Sequence, residues 1–187
     1  MKLHVPTIED AKRVLAEYEK GAYGRTDRAI FTLVNQYRKN DALEPVLLKA
    51  AVINGLYSTN VFGIYAMAEH IVQIGVDDYL SRRSPDVVER IANAEIGGKK
   101  RCFFSFATKY CSFHDPDTYP KYDKVVWWML QQLRLAGAIR KFEDSELDRY
   151  AGFQSLMIET RDALGMNTLS LQQLDKVFWI LGKGGQK

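Results

Sequence analysis

Hydrophobic residues recur every three or four positions along most of the chain, and short polar turns separate the runs. The first run places Ala11, Val14, Leu15 and Tyr18 on one face. Thr7-Ile-Glu-Asp10 opens it and reads as a capping box with Asp in the usual Glu/Gln place. The pattern predicts a helix that ends near Gly21. Arg25–Lys39 repeats it with Ile30, Phe31, Val34 and Tyr37; its charged face (Arg25, Arg28, Arg38, Lys39) reads as solvated. Pro45 opens a third helix, PVLLKAAVINGLY, apolar nearly all round and therefore expected to be buried. The polar turn Tyr57–Asn60 follows, with Asn60 as the expected N-cap of a buried helix over Val61–Ile74 that Gly75 stops.

Ser84-Pro85 predicts a short helix to about Ala94. A glycine turn with three cations, Ile96-Gly97-Gly98-Lys99-Lys100-Arg101, then leads into an expected helix over Lys99–Phe113. Asp115–Asp123 is punctuated by Pro116 and Pro120 and reads as loop. Lys124–Gly137 is a strongly apolar helix, and Ser145–Leu164 a longer one stopped by Gly165. Ser170-x-x-Gln173 is a second capping box; it starts LQQLDKVFWILG, ended by Gly182 and followed by a frayed tail. No stretch alternates with period two for long enough to make a strand. Nine or ten helices with short links give a compact all-α domain over 1–187. The expected lobes are about 45–135, and the N-terminal helices packed with 138–187, with a cleft between them.

Composition narrows the function classes. Hydrophobic residues at 47% and charged residues at 26% are ordinary for a soluble globule. A net charge of +3 is compatible with nucleic acid but does not by itself argue for it. Cys102 and Cys111 are too few for a four-cysteine zinc site or an iron–sulfur cluster, and read as reduced cytosolic thiols. His4, His70 and His114 are scattered without metal-ligand spacing. No leader is read at Met1, and no apolar run is long enough to cross a membrane. The expectations are no metal, no cofactor, and a monomer in the cytoplasm or on the nucleoid.

Candidate chemistry gathers in Arg101–Val126, where Lys109 sits in an aromatic-rich run and Asp123 stands before the next helix. Two readings are open. Lys109 is either a lysine snorkelling over aromatic rings or an amine nucleophile. Asp123 either caps the helix at Lys124, or also serves as an electrostatic partner. The Gly97-Gly98 turn is either a tight connection or a set of N–H groups offered to a phosphate.

Three islands together resemble the helix-hairpin-helix DNA glycosylase superfamily. LLKAAVINGLYSTNVFGIYAMAEHI is similar to its early helix pair. FSFATKY…YPKYDKVV resembles its lysine-bearing helix and downstream aspartate, nearest to the archaeal 8-oxoguanine glycosylase branch. LDKVFWILG looks like the terminal helix of that branch. The Leu-Pro-Gly-Val-Gly hairpin that usually precedes the lysine is absent, and the loop from Lys109 to Asp123 is shorter than usual. The resemblance implies an enzyme that excises a modified or damaged base from DNA, either by base release alone or with Schiff-base lyase activity as well. In it Lys109 and Asp123 are catalytic, and Ser58, Thr59, Asn60, Gly97, Gly98, Lys99, Lys100 and Arg101 contact the nucleic acid. Tyr122, Trp127 and His114 line the base pocket, with Trp128 and Phe104 as further stacking candidates. The competing reading is a non-catalytic all-α module, binding nucleic acid or protein, that retains only the fold.

Overall fold

The computed structural model describes residues 5–147 and 149–185. Among them the chain forms an all-α domain of ten helices, with one short 3-10 turn and one two-stranded hairpin. Helix α1 (Ile8–Lys20) is opened by the expected capping box: Thr7 Oγ1 accepts from the Asp10 N–H at 3.2 Å, and Asp10 Oδ2 accepts from the Thr7 N–H at 3.1 Å. Helix α2 (Ala22–Gln36) begins at once after Gly21, earlier than the sequence pattern indicates. Helix α3 (Leu43–Tyr57) has Pro45 in its first turn, where a missing N–H is harmless. It is not buried all round, since Leu48 and Leu56 face solvent.

Helix α4 (Ile64–Gln73) packs against α3. Asn60 does not cap it: Gly63 occupies the cap position, and Asn60 adopts left-handed backbone with φ 60°. The turn is organised instead by Asn54 on α3. Its Oδ1 accepts from the Val61 N–H at 2.9 Å and from Thr59 Oγ1 at 2.8 Å, and its Nδ2 donates to the Val61 carbonyl at 3.1 Å. Gly75 stops α4 in left-handed backbone, and the chain turns directly into a short helix, α5 (Val76–Ser81), then α6 (Asp86–Ala92).

The largest departure from the expected elements follows. Strands β1 (Asn93–Ile96) and β2 (Lys99–Cys102) pair antiparallel, with Glu95 opposite Lys100 and Ile96 opposite Lys99. Gly97 and Gly98 both have positive φ, 61° and 71°, which suits a two-residue hairpin turn and not a helix start. Four-residue strands are too short to show a period-two pattern against the flanking helices. The hairpin seats beside the start of α4, where Gly63 lies so close to the Ile96 side chain that a Cβ would collide with it.

Helix α7 (Phe104–His114) is the central element; every residue from Phe106 to Phe113 is buried. Helices α2, α3 and α6 pack around it. After the loop come α8 (Lys124–Leu135), the 3-10 turn (Asp144–Leu147), α9 (Tyr150–Ala163) and α10 (Leu171–Gly185). The second capping box also forms: Ser170 Oγ accepts from the Gln173 N–H at 3.1 Å, and Gln173 Oε1 from the Ser170 N–H at 2.9 Å. Helix α10 passes through Gly182 to Gly185 and packs against α1, α8 and α9; the last two positions of the expected frayed tail lie outside the described residues. No helix among the described residues is long and apolar enough to cross a membrane.

Lys49 shows how tightly the α2–α3 connection is held. Its side chain is fully buried, and Nζ donates to the Tyr37 carbonyl (2.8 Å), the Lys39 carbonyl (2.9 Å) and Asn40 Oδ1 (2.6 Å). Asn40 also binds Asp77 through both its backbone N–H and its Nδ2. Replacing Lys49 by Met removes all three hydrogen bonds at once and leaves buried Asn40 Oδ1 with only the Tyr110 hydroxyl as donor. Urea denaturation of Lys49→Met is expected to show a loss of about 3 kcal/mol.

Candidate active site

Helix α7 carries Lys109 into the interior, where it is 5% exposed. Its Nζ donates to Ser105 Oγ at 2.8 Å and to the carbonyls of Ser105 and Tyr122 at 3.3 and 3.4 Å. All three acceptors are neutral. Burial pushes the Lys109 ammonium down to about 8; Asp123 pulls it up, and Lys121 pushes it further down. Asp123 caps α8, its Oδ1 accepting from the Val125 N–H at 2.8 Å. Both residues line one cavity of about 440 Å³, a volume typical of small-molecule sites. Lys109 is thus a buried lysine and not a surface one, although its Nζ does lie over an aromatic ring, that of Tyr57. Asp123 caps a helix and faces the cavity as well.

The rest of the lining comes from helices far apart in sequence. Asp27 (α2), Tyr57 (α3), Lys121 (the loop before α8), and Asp175 and Lys176 (α10) form a buried polar wall. Asp27 is the hub. Its Oδ2 meets Lys176 Nζ at 2.8 Å and Lys121 Nζ at 3.7 Å, and accepts from the Tyr18 hydroxyl at 3.1 Å; its Oδ1 accepts a short hydrogen bond from the Tyr57 hydroxyl. Burial raises the Asp27 carboxyl, but the ammoniums of Lys121 and Lys176 outweigh it and hold Asp27 below the usual carboxylate range. Burial and the Asp27 charge drive the Tyr18 and Tyr57 phenols far up, so both remain neutral donors. Asp175 accepts from the Lys121 backbone N–H at 2.6 Å, and burial pushes its carboxyl up to about 7. Trp179 and Tyr23 line the cavity too, edge to face with centroids 5.0 Å apart.

The loop 115–123 is held from within by Asp115 and from outside by groups on α9 and α10. Asp115 Oδ1 accepts from the N–H groups of Asp117 and Thr118, and Asp115 pairs with Arg83 at 3.1 Å. The Pro116, Thr118 and Pro120 carbonyls accept from the Gln172 N–H (3.0 Å), Gln154 Nε2 (2.8 Å) and the Tyr150 hydroxyl (2.9 Å) respectively. Lys121 and Asp123 are therefore presented from a pinned segment.

Most other residues singled out from the sequence lie elsewhere. Ser58 reaches the cavity lining, in left-handed backbone with φ 51°; Thr59 hydrogen-bonds to Asn54, and Asn60 is exposed. Gly97, Gly98, Lys99, Lys100 and Arg101 belong to the exposed hairpin, so no helix N-terminus follows the glycines. Tyr122 and Phe104 pack on each other at 5.3 Å, and Tyr122 on Phe153 at 5.4 Å, outside the cavity lining. Trp127 packs edge-on against Phe142, and neither it nor Trp128 lines the cavity. His114 lies against the Tyr110 ring; burial, reinforced by Lys49 and Arg38, pushes it down to about 3. It takes no part in the cavity. The aromatic wall comes instead from Tyr23, Tyr57 and Trp179. Trp179, Asp175 and Lys176 stand in the LDKVFWILG stretch and Lys121 in YPKYD, so a signal for them existed; Tyr18 and Asp27 carry none.

Comparison with known proteins gives two matches. The family profile HI_0787_N, N-terminal domain, matches residues 7–118. An uncharacterized protein of Haemophilus influenzae is 33% identical over 171 residues, which is 91% of this chain and 76% of that protein. No solved structure matches the chain.

Asp175 makes stability depend on pH. Its folded value near 7 lies above the ordinary 3.8, so the stabilisation from its proton is complete below about pH 4 and is lost as pH rises through about 7. Asp175→Asn keeps an acceptor for the Lys121 N–H and has no such proton to lose. Denaturation curves between about pH 4 and pH 7 are expected to show wild type losing on the order of a few kcal/mol relative to the variant.

Proposed function

The chain belongs to the HI_0787_N family; from the geometry of its cavity we propose that the cavity is the active site of a DNA glycosylase with Schiff-base lyase activity. The observation that carries this reading is the pairing of Lys109 with Asp123 on one cavity. A buried amine with neutral hydrogen-bond partners, titrating near 8, shares that cavity with a carboxylate fixed at a helix start. A nucleophilic amine must be neutral, and burial is the ordinary way to make it so.

In the proposed reaction the target nucleotide leaves the base stack and enters the cavity. As the C1′–N bond breaks, its electron pair goes with the base and positive charge develops on the sugar. The Asp123 carboxylate stabilises that charge. The lone pair of Lys109 Nζ forms the bond to C1′ and the nitrogen loses a proton to solvent; the departing base takes a proton from solvent. The C1′–O4′ bond then breaks, O4′ taking the electron pair and a proton from solvent, as the nitrogen lone pair forms the protonated Schiff base. Tyr23 and Trp179 at the cavity wall offer faces and edges on which a base can stack. The hairpin cations Lys99, Lys100 and Arg101 and the exposed Phe62 (86%) and Tyr65 (54%) support contact with a nucleic-acid strand.

Borohydride trapping on duplexes carrying abasic sites or modified bases tests the reading. Wild-type protein should form a covalent adduct, and Lys109→Ala should form none. Asp123→Asn keeps a helix cap, so the protein should fold while base release slows about 10²- to 10³-fold. The neutral amine is the reactive form, so trapping should rise with pH and level off above about 8. Salt-sensitive binding with no adduct across a broad panel would favour the non-catalytic module. Changing Lys99, Lys100 and Arg101 together to Ala should reduce the slope of log affinity against log salt by about 2 to 3.

A further inference from the structure

Lys121 is a second amine in the same cavity, and its surroundings differ in kind from those of Lys109. Its Nζ donates to the Tyr57 hydroxyl oxygen at 2.8 Å and lies 3.7 Å from Asp27 Oδ2. It sits over two aromatic faces, 4.9 Å from the Tyr57 centroid and 4.6 Å from that of Phe113. A carboxylate and two ring faces favour the ammonium. Lys109 has only a hydroxyl and two carbonyls as hydrogen-bond acceptors. Its Nζ lies 5.8 Å from the Tyr57 centroid, so both amines lie over one ring.

We infer that Lys121 is a positioning residue for the nucleophile: pinned as an ammonium between Asp27, Tyr57 and Phe113, it weakens the hold of Lys109 on its proton. Two like charges this close in a buried cavity resist being present together. The proton stays where the carboxylate is. Burial lowers Lys121, and Asp175 and Asp27 oppose that fall. Lys109 lacks an acceptor of that kind and gives up its proton first.

Five helices contribute a group to this balance. Helix α2 supplies Asp27 and α3 supplies Tyr57; α7 supplies Lys109 and the Phe113 ring; α10 supplies Asp175 and Lys176. Helix α1 supplies Tyr18, which donates to Asp27, and Glu19, which meets Lys176 at 3.5 Å. Asp123 favours the charged form of Lys109, so it works against Lys121. Lys176 keeps Asp27 paired at 2.8 Å whether or not Lys121 is present, so removing Lys121 leaves no bare carboxylate.

The catalytic meaning of this arrangement rests on Lys109 being the nucleophile, but its test needs no substrate. The full chain is labelled with carbon-13 at lysine Cε, and the side chains are titrated by NMR. Lys109 and Lys121 signals are assigned by their disappearance in Lys109→Met and Lys121→Met. In wild type Lys109 should titrate near 8, with Lys121 above it. In Lys121→Met the Lys109 midpoint should rise by about one pKa unit, which leaves about tenfold less free amine at neutral pH. Lys121→Arg should hold the Lys109 midpoint at its wild-type position. A Lys121 midpoint below that of Lys109 in wild type overturns the inference, even if Lys121→Met does not fold. So does a Lys109 midpoint unmoved in folded Lys121→Met, or raised as much by Arg as by Met. Should Lys109 move as expected while no DNA yields an adduct, the inference stands and the glycosylase reading falls. If an adduct forms while the Lys109 midpoint stays unmoved, the glycosylase reading stands and the inference falls.

Discussion

Helix α7 is buried on every side, and that constraint organises the rest of the molecule. A surface helix hides polar side chains by turning them to water; α7 cannot. Thr108, Lys109 and Ser112 on it find partners inside the protein, and those partners tie down other elements. Thr108 Oγ1 donates to the Ser105 carbonyl and accepts the Tyr122 N–H; Ser112, through its carbonyl and its Oγ, accepts from Gln172 on α10. Lys109 reaches the Tyr122 carbonyl. The loop after α7 and the last helix are thus ordered by the polar demands of one central helix as well as by the apolar core around it.

The same constraint explains why the cavity is charged. Lys109, Lys121 and Lys176 meet Asp27, Asp123 and Asp175 in a space largely closed to water. Burying such groups is a poor route to stability, because desolvation offsets much of what their attraction returns. Apolar side chains of similar volume would hold these helices together at least as well. What the charges provide is a graded set of proton affinities, with neutral phenols, an ionised Asp27, and an amine whose proton is loosely held.

Much of the architecture is legible in the sequence because helical periodicity and capping are local. Both capping boxes, the loop between Lys109 and Asp123 and most of the helices follow from spacing alone. The hairpin is not legible, because two four-residue strands leave no periodic trace and a pair of glycines before cations looks like a helix entry. Lys109 and Asp123 are legible as a pair because they flank one loop. Their neighbours are not: Asp27 and Tyr18 look like ordinary helix positions, and only the meeting of α1, α2 and α10 gives them meaning. The aromatic wall escapes the sequence for a related reason. Trp127 and Trp128 are near Asp123 in sequence, but Trp127 turns to Phe142, while Trp179, far downstream on the last helix, takes the cavity.

The pinning of loop 115–123 has a consequence for how variation spreads through this chain. Helix α9 contributes nothing to the cavity lining, yet Tyr150 and Gln154 grip the loop from which Lys121 and Asp123 are presented. Helix α9 therefore acts as a remote handle. Substitutions along it shift the segment that carries Lys121 and Asp123, and so reshape the pocket while every lining residue stays the same.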